Sequence, residues 1–328
     1  MAVRTENPRA VIVGAGAVGL ALGTCLHYAG WRLSYVVRDG DAPHPLEEHG
    51  IRRSGIFGES IVPATAIDVR RSFESLRDED FHVLLVCTKT TSSTDVARAL
   101  GAVWYTLARE PLVVLCQNGW GNAERFAAWM PRDRIFNARI ITGFRRISAH
   151  AVDVTVHADS IHLGSLFGES TDALKPLCEA IAIGGIPCEL SADIQADLWA
   201  KVLYNCLLNP LGALVGVPYG ALGECEETRN MIEEVAREIF EVLARTGHHT
   251  HWHSAEAYLE TFYRDLLPPT AQHESSMLQD LRAGRPTEID ALCGAVTRLG
   301  IAHDVQTPVN EALTRLVHLA ERRAPSDP

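Results

Sequence analysis

Within an otherwise oily stretch, Asp197 to Gly216 (DLWAKVLYNCLLNPLGALVG), three polar residues recur at intervals of four: Lys201, Asn205 and Asn209. On a helix they share one side, within an arc of about 80°. A buried ammonium and two buried amides each cost about a few kcal/mol without partners, so such a stripe points to a polar cleft. A lysine held there near working pH can protonate an oxygen that gathers negative charge as its carbon accepts hydride. The amides can orient the substrate. The competing reading is a lysine snorkelling to water above asparagines that bridge neighbouring helices.

A hydride must come from somewhere, and the N-terminal segment supplies a candidate. Gly14, Gly16 and Gly19, with Ala15, Ala17 and Val18 between them, form GxGxxG directly after the apolar run AVIV and directly before a helical pattern. Alone, that spacing also describes a tight turn with a packing glycine. In strand–turn–helix–strand context it predicts a dinucleotide site, with the pyrophosphate resting on the N–H groups at the helix start. The second strand ends at Val37 and is followed by Arg38 and Asp39. A cation there accommodates a 2′-phosphate, whereas an acid there selects NAD; Arg38 comes first, so NADP is expected. Arg38 also fits a solvated strand-end charge. Lys89, after VLLVCT, and Asn118, in CQNG after LVVLC, fall beyond the carboxyl ends of their strands, where open α/β sheets bind ligands. Either one alone would be an ordinary turn residue.

The elements that must position these residues divide the chain near residue 190. Before it, strands are expected at Ala10–Val13, Arg32–Val37, Val83–Cys87, Leu112–Cys116 and Arg134–Ile140, alternating with helical patterns in the manner of a parallel sheet. Gly50–Ile67 suggests a hairpin-like excursion, and Ala151–Val156 and Ser160–Leu163 suggest antiparallel strands. A helix over Asp172–Ile183 and a strand near Pro187–Leu190 would close this half. Beyond it the apolar period becomes helical through Ala192–Val215, Glu226–Thr246, Ala255–Leu266, Thr287–Leu299 and Val309–Glu321. Ser191 is the expected N-cap of the first of these helices, and Gly247 the glycine that ends the second. The fold class is therefore a Rossmann-type α/β domain (1–190) holding NADP, followed by an all-α domain (191–328) for substrate and catalysis.

Composition narrows the function. The 328 residues carry a formal net charge of −11, which argues against a nucleic-acid partner. Eight cysteines are scattered without a CxxC pair and read as reduced, buried small hydrophobes. Arg4 and Arg9 before the apolar Ala10–Leu26 imitate a secretory leader, but that stretch carries the three glycines and no cleavage site follows. No later apolar run spans a membrane without Gly, Asn or Pro interrupting it, and a cytoplasmic protein is expected. His248, His249, His251 and His253 have spacing that suits zinc or nickel, yet no cysteine or carboxylate ladder accompanies them, so a polar loop is expected and no metal. Oligomeric state is not legible, a homodimer being one compatible assembly.

The order GAGAVG, VVR, CTK, CQNG, WAKVLYN followed by NP, and SSMLQDLRAGRPTEID resembles the ketopantoate (2-dehydropantoate) reductase family from residue 14 to residue 290. The resemblance implies NADPH as cofactor and a 6-phosphogluconate-dehydrogenase-like helical C-terminal domain. It also implies a role for each matching position. Lys201 is the catalytic general acid, and Glu288 the acid that works with it and with substrate hydroxyls. Asn118 lies near nicotinamide and substrate, Asn205 and Asn209 contact substrate, and Ser276 binds its carboxylate. Arg38 and Lys89 surround the adenosine phosphate and ribose. From the residues alone, Glu288 is equally a first-turn acid after Pro286, and Ser275 or Ser276 a helix cap. His273 stands where the family often has asparagine, and residues 149–164 lack the family's glycine-rich pattern. Those departures keep open a related reductase of another 2-oxo acid. A non-catalytic NADP sensor is the alternative of a different class, disfavoured because a sensor needs neither Lys201 nor Glu288.

Overall fold

A computed structural model describes residues 7–38 and 43–323; Asp39 lies outside them. The chain forms two compact units: one runs to Gln117 and resumes over Asn122–Ile194, the other joins Asn118–Gly121 to the chain from Gln195 onward.

The first unit contains β1 (Arg9–Val13), α1 (Ala17–Tyr28), β2 (Arg32–Val36), α2 (Pro45–His49), β3 (Ile51–Gly55), β4 (Ser60–Val62), β5 (Ile67–Arg70) and β6 (Val83–Val86). It continues through α3 (Ser93–Val103), β7 (Leu112–Leu115), α4 (Asn122–Ala127), β8 (Ile135–Arg139), β9 (Thr142–Arg146), β10 (Ala151–His157), β11 (Ile161–Gly164), α5 (Lys175–Ile183) and β12 (Cys188–Leu190). The large sheet runs β12-β11-β8-β7-β6-β1-β2-β5. The six strands from β5 to β8 are mutually parallel, and β11 reverses against β8. Among those six the order reverses beside β1, which makes the gap between β1 and β6 the topological switch point. Successive β1 residues feed opposite faces: Ala10 and Ile12 pack with α1 and α5, Val11 and Val13 with α3 and α4. Cover on both faces explains why these strands read as unbroken apolar runs.

The strands outside that run depart from expectation. The excursion at 50–67 is a hairpin of β3 and β4, but Ile67 begins β5, the third strand of the parallel set, which pairs with β2. β9 is an unanticipated strand, and β10 is antiparallel to β9 yet parallel to β3. Short strands carrying charge on one face leave little alternation to read.

The second unit contains α6 (Ile194–Val215), α7 (Tyr219–Glu224), α8 (Glu226–Thr246), α9 (Ala255–Thr261), α10 (Ser276–Arg282), α11 (Cys293–Ala302) and α12 (Pro308–Arg323). α6 has the length and composition of a membrane span, but most of it is buried, as in a core helix. α8 ends on Gly247 in the left-handed region, as its position predicts. Two expectations need correction, and one helix was not foreseen. Ser191 does not cap α6: its hydroxyl accepts from the Asp193 amide at 3.1 Å, a turn that precedes the helix. Thr287–Leu299 is not one helix: a single 3-10 turn spans Ile289–Ala291, and α11 starts only at Cys293 because Leu292 leaves helical geometry. α7 was hidden by Gly220 and Gly223, whose missing side chains leave room for Ala271 and Leu267.

Candidate active site

The glycine turn sits at the carboxyl end of β1, beside the switch point. Gly14 has φ +99°, and a Cβ there would lie 2.9 Å from Thr88 Cγ2, in the turn after β6. Gly19 allows α1 to approach its own turn, since a Cβ would fall 2.2 Å from the Gly14 carbonyl oxygen. Gly16 meets only ordinary contacts and serves as the N-cap of α1 without any side-chain cap. The first N–H groups of α1 therefore face a half-exposed turn (14–18) with no side-chain cap, which fits a pyrophosphate. Arg38 is exposed just past β2. Lys89 is exposed just past β6, in a turn braced by Gln117, whose side-chain amide donates to Thr88 O at 3.1 Å and Lys89 O at 3.3 Å. Sequence reading passed over Gln117, although its place in CQNG was the available signal.

In the second unit the polar stripe lies along α6. Lys201 and Asn205 are half-buried, and Asn209 is 6% exposed. Pro210 interrupts the helical hydrogen bonding and removes the N–H that Cys206 O would accept; the Cys293 thiol, 3.9 Å away, donates there instead. Asn209 is oriented by Tyr219, whose hydroxyl donates to its Oδ1 at 2.6 Å. Burial pushes the Tyr219 phenol far above its ordinary range, so it remains a donor. With Oδ1 so engaged, the Asn209 amide has its N–H₂ to offer a ligand. Tyr219 was not singled out in sequence, and only the fold places it on Asn209.

Residues 118–121 belong to this unit. The Asn118 amide donates to Glu288 Oε2 at 2.9 Å, joining the CQNG and RPTEID blocks. Glu288 itself stands at the N-cap position of the 3-10 turn, without a side-chain cap bond, rather than sitting inside a helix. Trp120 N–H donates to Ala291 O at 2.8 Å, and its ring lies 4.7 Å from that of Trp199, two residues before Lys201. Asn118, Glu288 and the Lys201 segment of α6 are thus bound into one neighbourhood. Of the two serines, Ser275 is the fully buried cap of α10, accepting from Leu278 N at 3.0 Å; Ser276 stands exposed in the first turn. His273 packs its ring 5.2 Å from that of Tyr219.

The histidine run disperses: His248 packs against Trp120 and Trp199, and His251 Nε2 meets Asp197 Oδ1 at 2.9 Å. Among the described residues no group of three or more His, Cys, Asp or Glu is placed to hold a metal ion.

Residues 10–167 match the sequence profile described as "Ketopantoate reductase PanE/ApbA", and residues 193–321 that described as "Ketopantoate reductase PanE/ApbA C terminal". The 2-dehydropantoate 2-reductase of Aquifex aeolicus is 34% identical over 95% of this chain and 96% of its own, and that of Halobacterium salinarum is 29% identical over 96% and 99%. Among solved structures, a PanE/ApbA family ketopantoate reductase from Ralstonia eutropha superposes with a TM-score of 0.81 at 26% identity, covering 96% of this chain and 99% of its own. D-mandelate dehydrogenase, solved with NADH and anilino(oxo)acetate, superposes at 0.82 with 23% identity and the same coverage, a likeness of fold. The glycine turn at the switch point, the lysine-bearing core helix and two family profiles that span most of its length lead to one conclusion: this chain belongs to the ketopantoate reductase family.

Proposed function

We propose that the protein is a cytoplasmic enzyme that reduces 2-dehydropantoate to (R)-pantoate with NADPH, with a cofactor domain over about residues 1–190 and a substrate domain over about residues 191–328. The nicotinamide supplies hydride when bound. The uncapped start of α1 (Gly14 to Gly19) takes the pyrophosphate, and Arg38 and Lys89 take the adenosine phosphate and ribose. Lys201 gives its proton to the C2 oxygen as negative charge develops there. Glu288 holds Asn118 and accepts from substrate hydroxyls. Asn205 and Asn209 donate to substrate oxygens, and Ser276 donates to its carboxylate. One observation carries the reading: the Asn118–Glu288 hydrogen bond, which places two of the residues assigned to substrate in direct contact.

A panel of 2-oxo acids that includes ketopantoate, scored by loss of NADPH absorbance, tests it. Ketopantoate should have the highest kcat/KM. The alternative, a different 2-oxo acid, is favoured by His273 beside Tyr219, and a larger kcat/KM for another acid on the panel would establish it. Tight NADPH binding with no turnover of any acid would instead mark a sensor.

A further inference from the structure

The chain turns sharply at Gly119, with φ +81°, and a Cβ there would lie 2.3 Å from Ala291 O, so the loop lies directly on the 3-10 turn that Glu288 precedes. The next residue, Trp120, is 5% exposed. Its ring packs 4.7 Å from Trp199 at an interplanar angle of 31° and 4.9 Å from His248 at 63°; Trp199 and His248 are 5.9 Å apart. The indole N–H of Trp199 is buried without a partner, so packing alone holds that ring. Burial lowers the His248 pKa, which keeps the third ring neutral and stackable near neutral pH. Three rings from three segments therefore clamp a loop only two residues past Asn118.

We propose that the Trp120–Trp199–His248 stack positions Asn118 against Glu288, making Trp120 a positioning residue that acts through Asn118. The inference rests on the role given to Asn118 above. A loop without the ring loses its side-chain anchor, though the Trp120 backbone N–H keeps its bond to Ala291 O, and the Asn118 amide then samples orientations away from Glu288. Misplacement of a positioning group by about 1 Å costs up to about 100-fold in rate.

The test is a double-mutant cycle on the full chain with Trp120→Ala, Asn118→Ala and the pair, together with Trp120→Phe, measured as kcat and KM with NADPH and a 2-oxo acid. Trp120→Ala should lower kcat about 10- to 100-fold with the KM for NADPH unchanged. Trp120→Phe should restore most of it, and Trp120→Ala should cost nothing further once Asn118 is alanine. Additive losses, or a wild-type kcat in Trp120→Ala, would overturn the assignment. If Trp120→Ala does not fold by circular dichroism, His248→Ala takes its place in the cycle under the same criteria. A wild-type enzyme inactive on every 2-oxo acid would sink the reductase reading itself, whereas an active wild type with additive losses sinks only the positioning role.

Discussion

Asn118 and Glu288, 170 residues apart in sequence, meet through a 2.9 Å hydrogen bond from amide to carboxylate. The contact fixes the Asn118 amide against the carboxylate across that separation. It also makes the loop after β7 part of the helical unit, although the strand that launches it belongs to the sheet.

The lysine carries the chemistry in this scheme. Lys201→Ala should fold normally and lose about 100- to 10,000-fold in kcat, the range for removal of a general acid. Turnover with NADPH and a responsive 2-oxo acid measures it. An undiminished rate would remove Lys201 from the mechanism.

Cofactor choice rests on Arg38, exposed past the end of β2. A charge-assisted hydrogen bond to a 2′-phosphate contributes about 1.5–3 kcal/mol. Arg38→Ala should therefore weaken NADPH binding about 10- to 100-fold and leave NADH nearly unchanged, as read by fluorescence titration. Equal weakening of both nucleotides would contradict a 2′-phosphate contact.

A buried carboxylate organises the far end of the helical unit. Glu238 on α8 accepts from Val309 N at 2.8 Å, Asn310 N at 3.0 Å and Asn310 Nδ2 at 2.7 Å, capping α12 from a neighbouring helix. Glu238→Ala strands the wholly buried Asn310 amide and should cost about 3 kcal/mol of stability. Urea denaturation followed by circular dichroism would show the shift; a change below about 1 kcal/mol would mean that water replaces the carboxylate.

Mild acid should destabilise the fold. Burial holds the imidazoles of His44, His82, His248 and His273 below their ordinary 6.5. The unfolded chain then binds protons that the folded one refuses, so stability is full above about pH 6.5 and falls as pH drops below it. Tm should decrease between about pH 7 and about pH 5.5, and His248→Phe should flatten part of the slope. A Tm that held or rose on acidification would contradict this.

Local chemistry in the sequence determined a good deal. The GxGxxG turn, the apolar parallel strands and the Lys201–Asn205–Asn209 stripe are legible because strand and helix periods and glycine spacing act within a few residues. The ends of α8 were legible for the same reason, its last turn meeting a glycine, the residue that enters the left-handed region at least cost. What the tertiary structure decided are pairings between distant segments. β5 joins the parallel set only because β2 offers an open edge. Tyr219 turns the Asn209 amide, and Trp120, Trp199 and His248 converge although nothing in their spacing foretells it. Such contacts depend on which surfaces packing brings together, and no local period encodes that.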